Sequence, residues 1–184
     1  MSAAEIFVSV DIETAGPIPG EFSMLTIGAC DAYRPDRTFE CKLKPINANF
    51  DPKALEVTGL SLDSLAREGL TPTSAMSQFA TWIAGLCEEQ AKPIFVGFNA
   101  PFDWSFVNYY FHRFGEGNPF GFTAVDIKAL YMGATGSSWS ETSSRQIAKK
   151  LKPELSGDHD ALHDALYQAE LYRLVRSIGK AATP

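Results

Sequence analysis

The chain has 184 residues, a net charge of −6 and an apolar share of 45%, which suits one domain with a single core and excludes a disordered chain. The acidic balance argues against a protein that coats long nucleic acid, since that needs many Lys and Arg contacts to phosphate, but leaves a short footprint open. Met1-Ser2-Ala3-Ala4-Glu5 has no basic n-region and no long apolar segment follows, so no secretory leader or membrane helix is expected; Cys30, Cys41 and Cys87 lack close metal-type spacing and read as free thiols in a cytoplasm.

Three strands are predicted first, over residues 6–11, 24–30 and 38–44. Gly16-Pro17-Ile18-Pro19-Gly20 and Tyr33-Arg34-Pro35-Asp36 break them apart, and such short connections favour an antiparallel meander. Asp51 as N-cap and Pro52 at the first helical position open a short helix that Gly59 stops. Thr71-Pro72 opens a longer helix through Leu86, with Phe79, Trp82, Ile83 and Leu86 on one stripe. Lys92-Pro93 leads into a strand over 94–98, and a helix over 102–114 follows. Val125-Asp126 closes a short strand, with Asp126 read as the cap of a helix over 127–132. Residues 133–144 read as a Gly/Ser/Thr-rich loop containing Trp139; a small helix passes through Ile147, and the last helix spans 160–178. Strands followed by alternating helices and strands define an α/β domain around a mixed sheet, one domain over 1–184.

Four carboxylates break this pattern. Asp11 and Glu13 end the run Ile6-Phe7-Val8-Ser9-Val10, and residues two apart in a strand share a face. Like charges so placed repel unless a cation lies between them, and carboxylate oxygens suit Mg2+ or Mn2+. Asp103 is in helical step with Phe106, Val107, Tyr110 and Phe114, and Asp164 with Leu171, Val175 and Ile178. An unpaired buried carboxylate costs several kcal/mol or is driven to neutrality. A lone case reads as a helix cap or a paired core acid. Two such helices together with the Asp11/Glu13 pair point to convergence on two divalent ions. Two ions about 3.5–4 Å apart clamp the attacking and leaving oxygens of an in-line phosphoryl displacement.

A base for such chemistry is sought among three histidines. His112 sits amid helix aromatics, and His163 adjoins Asp164. His159 follows Gly157-Asp158, where a mobile loop would swing it over the metals, and it is the candidate base. Its spacing from Asp164 does not share a helix face, so it must sit on the loop side. Arg145, Lys149, Lys150 and Lys152 form the nearest basic cluster, read first as a solvated helix end and second as a phosphate-tracking patch.

Asp11-x-Glu13, Asn99-x3-Asp103 and His159-x-Ala161-x2-Asp164-Ala165 resemble, in order and gaps, the three motifs of the DEDD (DnaQ-like) 3′–5′ exonucleases in their histidine subtype. Leu55-Glu56-Val57-Thr58-Gly59-Leu60 resembles the family's stretch before the first long helix. The resemblance implies a ribonuclease-H-like fold, with three antiparallel N-terminal strands plus parallel strands flanked by helices. It also implies two-metal hydrolysis from a 3′ end, releasing nucleoside monophosphates. By motif, Asp11 would bridge both metals, Glu13 and Asp164 would complete the nucleophile-side site, Asp103 would hold the second metal, and His159 would be the general base. Asn99 would orient the site, Phe102 would pack beside the terminal nucleotide, and Thr14 and Ala15 would lie near its sugar and base. Phe98 stands where the family often has a polar residue. The loop over 16–20 either borders the nucleotide pocket or is a plain hairpin-like connection.

Rival readings are a zinc site or HD-type phosphohydrolase built on His159-x3-His163 with Asp164, a catalytically silent binding module on the same fold, and a polymerase proofreading subunit. The favoured expectation is a cytoplasmic, Mg2+- or Mn2+-dependent 3′–5′ exonuclease acting on single-stranded RNA or DNA or short oligonucleotides. RNA is slightly preferred, because an acidic chain without extra domains fits trimming and short-fragment clearance. No membrane partner is expected, and by resemblance the chain pairs as a homodimer.

Overall fold

The computed structural model describes residues 4–87 and 91–181, with side chains described as far as Ile178. Its strands are β1 (Glu5–Thr14), β2 (Met24–Asp31), β3 (Arg34–Lys42), β4 (Lys92–Gly97) and β5 (Ala124–Asp126). They form one sheet in the order β3-β2-β1-β4-β5. β1, β2 and β3 pair antiparallel, whereas β4 pairs parallel with both β1 and β5. The meander expected from the short connections and the mixed sheet expected from the element order are both present.

The alternation of β1 sorts its residues between two layers. Val8, Val10 and Ile12 join a core with Met76, Phe79 and Ile83 of α3 (Pro72–Leu86) and Phe106, Val107 and Tyr110 of α4 (Pro101–Phe114). Phe7, of opposite parity, packs with Ile127 and Tyr131 of α5 (Ile127–Thr135), Ile147 of α6 (Ser144–Leu151), and Leu171, Tyr172 and Val175 of α7 (Ala161–Ala181). Asp11 and Glu13 share the parity of Phe7, so they face the α7 layer. No helix among the described residues is long and apolar enough to cross a membrane.

Local chemistry explains most element ends. Asp51 caps α1 (Pro52–Thr58) through Lys53 N–H, and Gly59 closes it at φ 66°. Thr71 caps α3 in the same way through Ser74 N–H. Several elements differ from expectation. β1 runs on to Thr14 rather than ending at Asp11, which keeps Glu13 in the strand. β3 begins at Arg34, not Thr38, because Asp31 Oδ1 accepts Tyr33 N–H at 3.0 Å and Arg34 N–H at 3.2 Å, which compresses the reversal. Arg34 and Arg37 then pair with Asp31 Oδ2 at 3.0 and 3.6 Å. Pro35 is tolerated there because β3 is a sheet edge. A further helix, α2 (Leu62–Glu68), is capped by Ser61; it buries Leu65 alone and carries too short a pattern to read. The segment expected as a loop after residue 133 instead extends α5 to Thr135, stops it at Gly136 (φ 67°), and adds a 3₁₀ turn over Trp139–Thr142.

Candidate active site

The parallel pairing of β1 with β4 ends at Ser9 and Val96. Beyond it the chain leaves β4, turns at Asn99 in the left-handed region (φ 62°) and enters α4. β1 continues alone on that flank as far as Thr14, which leaves its backbone there without a β4 partner beside its two half-buried acids. Asp103, 5% exposed, crosses from α4 to this flank, and its Oδ1 accepts Ile12 N–H at 3.3 Å. Asp103 is not at the N-cap position of its own helix, which Ala100 holds. Asp126 is confirmed as a cap, accepting Ala129 N–H at 2.6 Å. Its second oxygen accepts Ala100 N–H at 2.7 Å, so it also fixes the entry into α4.

Asp164 arrives on the first turn of α7. The preceding segment wraps its carboxylate: Asp158 N–H donates to Oδ1 at 2.9 Å and His159 N–H to Oδ2 at 3.1 Å. A Cβ on Gly157 would lie 2.8 Å from Asp164 Oδ1, so a larger residue there would have to shift this carboxylate. His159 is held at φ 65°, on the loop side and exposed at the cavity mouth. Rather than needing to swing in, it already lies against the acids. Ligand atoms of Glu13, His159 and Asp164 fall within 4.8 Å of one another. His163 instead bonds Asp158 Oδ2 through Nδ1 at 2.8 Å, and His112 is exposed on α4. A zinc site uniting His159 with His163 is thus not formed.

Asp11, Glu13, Asp103, Asp164 and His159 line one cavity of about 490 Å3, together with Phe98, Asn99, Phe102, Arg145 and Gln168. Thr14 and Ala15, expected beside the substrate, do not line it. Thr14 Oγ1 donates to Gly16 O at 2.9 Å, and Ala15 is buried against Leu25 and Leu65. The 16–20 loop does not line the cavity either, and belongs to the connection between the antiparallel β1 and β2.

The acids carry a cation deficit. Burial, then the facing carboxylates of Asp103, Asp164 and Glu13, hold Asp11 well above the usual carboxylate range. Burial, then Asp164 and Asp160, pushes Glu13 up to about 7. Burial pushes Asp103 up to about 8, although its own N–H and that of Ile12 oppose the shift. Arg145 is the one Lys or Arg among the described residues to line the cavity. An oxygen-rich donor set with this much uncompensated charge fits hard divalent cations.

Two residues escaped the sequence reading. Gln168, 5% exposed on α7, accepts Phe98 N–H at 2.8 Å through Oε1 and makes a short bond from Nε2 to Asp11 Oδ1. Because Phe98 takes the oxygen, the amide can face Asp11 only as a donor. Gly28, the cross-strand partner of Asp11, lies where α7 starts, and a Cβ there would overlap the Ala161 carbonyl. A glycine inside a strand signals close backbone approach, and that was its available sequence cue.

A five-stranded mixed sheet with acids gathered where its two central strands diverge defines a nuclease of the ribonuclease-H-like class, and the known proteins agree. The exonuclease (RNase_T) family model matches residues 8–172. The 3′-5′ DNA exonuclease Cap18 of Escherichia coli is 58% identical over 96% of this chain and 94% of its own. The nuclease domain of 3′hExo, a DEDDh family member solved bound to rAMP, superposes with a TM-score of 0.75 at 16% identity, covering 93% of this chain and 92% of that one. E. coli exonuclease I solved with a dT13 oligonucleotide superposes with a TM-score of 0.74 at 17% identity, over 96% of this chain and 42% of that one. The chain belongs to the exonuclease family, within the DEDD superfamily of divalent-metal-dependent 3′–5′ exonucleases.

Proposed function

We propose that this single domain over residues 1–184 removes nucleoside monophosphates from the 3′ end of single-stranded DNA, and of RNA or short oligonucleotides at lower rates. The observation that carries the reading is the convergence of Asp11, Glu13, Asp103 and Asp164 with His159 on one cavity. The DNA activity in the name of the Cap18 relative moves the preference from RNA to DNA. Two Mg2+ or Mn2+ ions suit the oxygen donors: Asp11, which faces the other three acids, would bridge both, Glu13 and Asp164 would complete one site, and Asp103 the second. When bound, such ions activate water and neutralise charge on the leaving oxygen.

The chain's own groups do the rest. Asp158 and His159 N–H groups aim the Asp164 carboxylate, and Gln168 aims that of Asp11. A ring nitrogen of His159 takes the proton of the attacking water, and its exposure at the mouth lets the proton pass to solvent. Asn99, on its left-handed turn, orients the 3′ end, and Phe102, 37% exposed, packs beside the terminal nucleotide. The three free cysteines fit a cytoplasmic setting, and a homodimer is the assembly that the family resemblance favours.

The test is degradation of 5′-labelled single-stranded DNA and RNA of matched sequence, with Mg2+ or Mn2+ and with chelator. A metal-dependent ladder shortening from the 3′ end, faster on DNA, is expected. Internal cuts or metal-independent cleavage would refute the reading.

A further inference from the structure

The corner formed by α5, the 3₁₀ turn and α6 begins at the cavity wall, yet the reaction above makes no use of it. Arg145, in the first turn of α6, lines the cavity. It takes no part in the ion pairs found among the described residues. Upstream, Trp139 opens the 3₁₀ turn and is 54% exposed. Lys128 Nζ lies 4.3 Å from the Trp139 ring centroid. Lys128 belongs to the first turn of α5, just beyond Asp126, which holds Ala100 at the entry to α4. The 3₁₀ turn lies against both α5 and α6, which keeps Lys128, Trp139 and Arg145 in one corner of the fold. A 3₁₀ rise of about 2 Å per residue, followed by a short extended step, keeps Trp139 within about 15 Å of Arg145.

The charge here runs against the chain's overall balance of −6. The one acid of the turn, Glu141, is already engaged by Ser138 and Lys150. An exposed indole next to cations, leading out of a cavity built for a phosphodiester, has the chemistry of a single-strand track: cations on phosphates and an aromatic face under a base. A protein partner would not account for a cation placed inside the cavity wall.

We propose that Arg145, Lys128 and Trp139 carry the single strand upstream of the 3′-terminal nucleotide. Arg145 holds a backbone phosphate at the cavity mouth, Trp139 stacks a base further upstream, and Lys128 supports both the ring and the next phosphate. The proposal rests on the exonuclease reading and deepens it.

The experiment compares kcat/KM for a single strand of about ten nucleotides with that for a dinucleotide of the same 3′ sequence. Wild type, Trp139→Ala, Trp139→Phe and Arg145→Gln are assayed with Mn2+ across a salt series. Trp139→Ala is expected to lower the long-to-short ratio about tenfold, mainly through KM, and Trp139→Phe to restore most of it. Arg145→Gln is expected to flatten the log–log salt dependence on the long strand by about 0.7. An unchanged ratio and slope, or a lowered ratio that Trp139→Phe does not restore, overturns the track. Wild type that cuts neither substrate overturns the exonuclease reading itself, a separate result.

Discussion

Replacing Asp103 by Asn should make the metal-free protein more stable at alkaline pH. Asn keeps the shape and the oxygen that accepts Ile12 N–H, and it deletes only the charge. Burial raises the Asp103 carboxyl from 3.8 to about 8. Because the folded chain then holds the proton more tightly than the unfolded one, this group's stabilising contribution is full below about pH 4, and it is lost as pH climbs toward 8. At 1.36 kcal/mol per tenfold change in proton affinity, the ionised form carries about 6 kcal/mol of penalty. Most of that penalty is burial, with Glu13 and Asp164 adding repulsion, and the Asn amide must itself be buried, so the substitution relieves only part of it, about 2–3 kcal/mol. For a chain of this length that is about 5–10 °C in Tm. Thermal melts in chelator at pH 5 and pH 8.5 measure it. The Asn variant should melt close to wild type at the lower pH and well above it at the higher. Added Mn2+ should then raise wild type more than the variant, because metal binding stabilises the native state by mass action. A variant no more stable than wild type at pH 8.5, or equally stabilised at both pH values, would refute the argument that these acids lack a counter-charge.

Three other substitutions probe the site. His159→Ala should lower kcat about 10²–10⁴-fold while Mn2+ affinity, followed by calorimetry, is largely kept; lost metal with an unchanged rate at saturation would make the residue a ligand instead. Gln168→Ala frees Asp11 and leaves Phe98 N–H unpaired, so kcat should fall about 10–100-fold, with circular dichroism unchanged; an unaltered kcat would remove Gln168 from the positioning of Asp11. Gly28→Ala must push the first turn of α7 outward, which should cost about 1–3 kcal/mol in denaturant melts and displace Asp164 enough to impair activity; an alanine variant of full stability would show that α7 does not sit so close.

Much of this site was legible because carboxylates interrupted regular patterns. Asp11 and Glu13 stood in an apolar strand on one parity, and the structure puts that parity toward α7. Asp103 broke the apolar face of α4, and burial with Phe106, Val107 and Tyr110 confirms that face. Where short-range chemistry sets an element's end, as at Asp51, Gly59 and Thr71, the boundary was readable to within a residue or so. Gln168 and Gly28 escaped because their roles depend on distant partners. Gln168 is an ordinary polar residue on a helix until Phe98 and Asp11 come together around it. Gly28 looks like a weak strand position until α7 lies across it. The reversal at Asp31 was misread because Pro35 signals a turn locally, while the Asp31 side chain completes the turn earlier and leaves Pro35 on an edge strand. Thr14 and Ala15 follow Asp11 and Glu13 directly in sequence, but a shift in pairing register between Glu13 and Thr14 accompanies their turn away from the cavity.

The most direct test of the central claim is Asp11→Ala, assayed on 5′-labelled single-stranded DNA with Mn2+ and melted beside wild type. Asp11 faces all three other acids, so the account predicts no 3′ ladder from a protein that remains folded and melts at or above the wild-type temperature in chelator. A folded variant that still shortens the strand at the wild-type rate would contradict it.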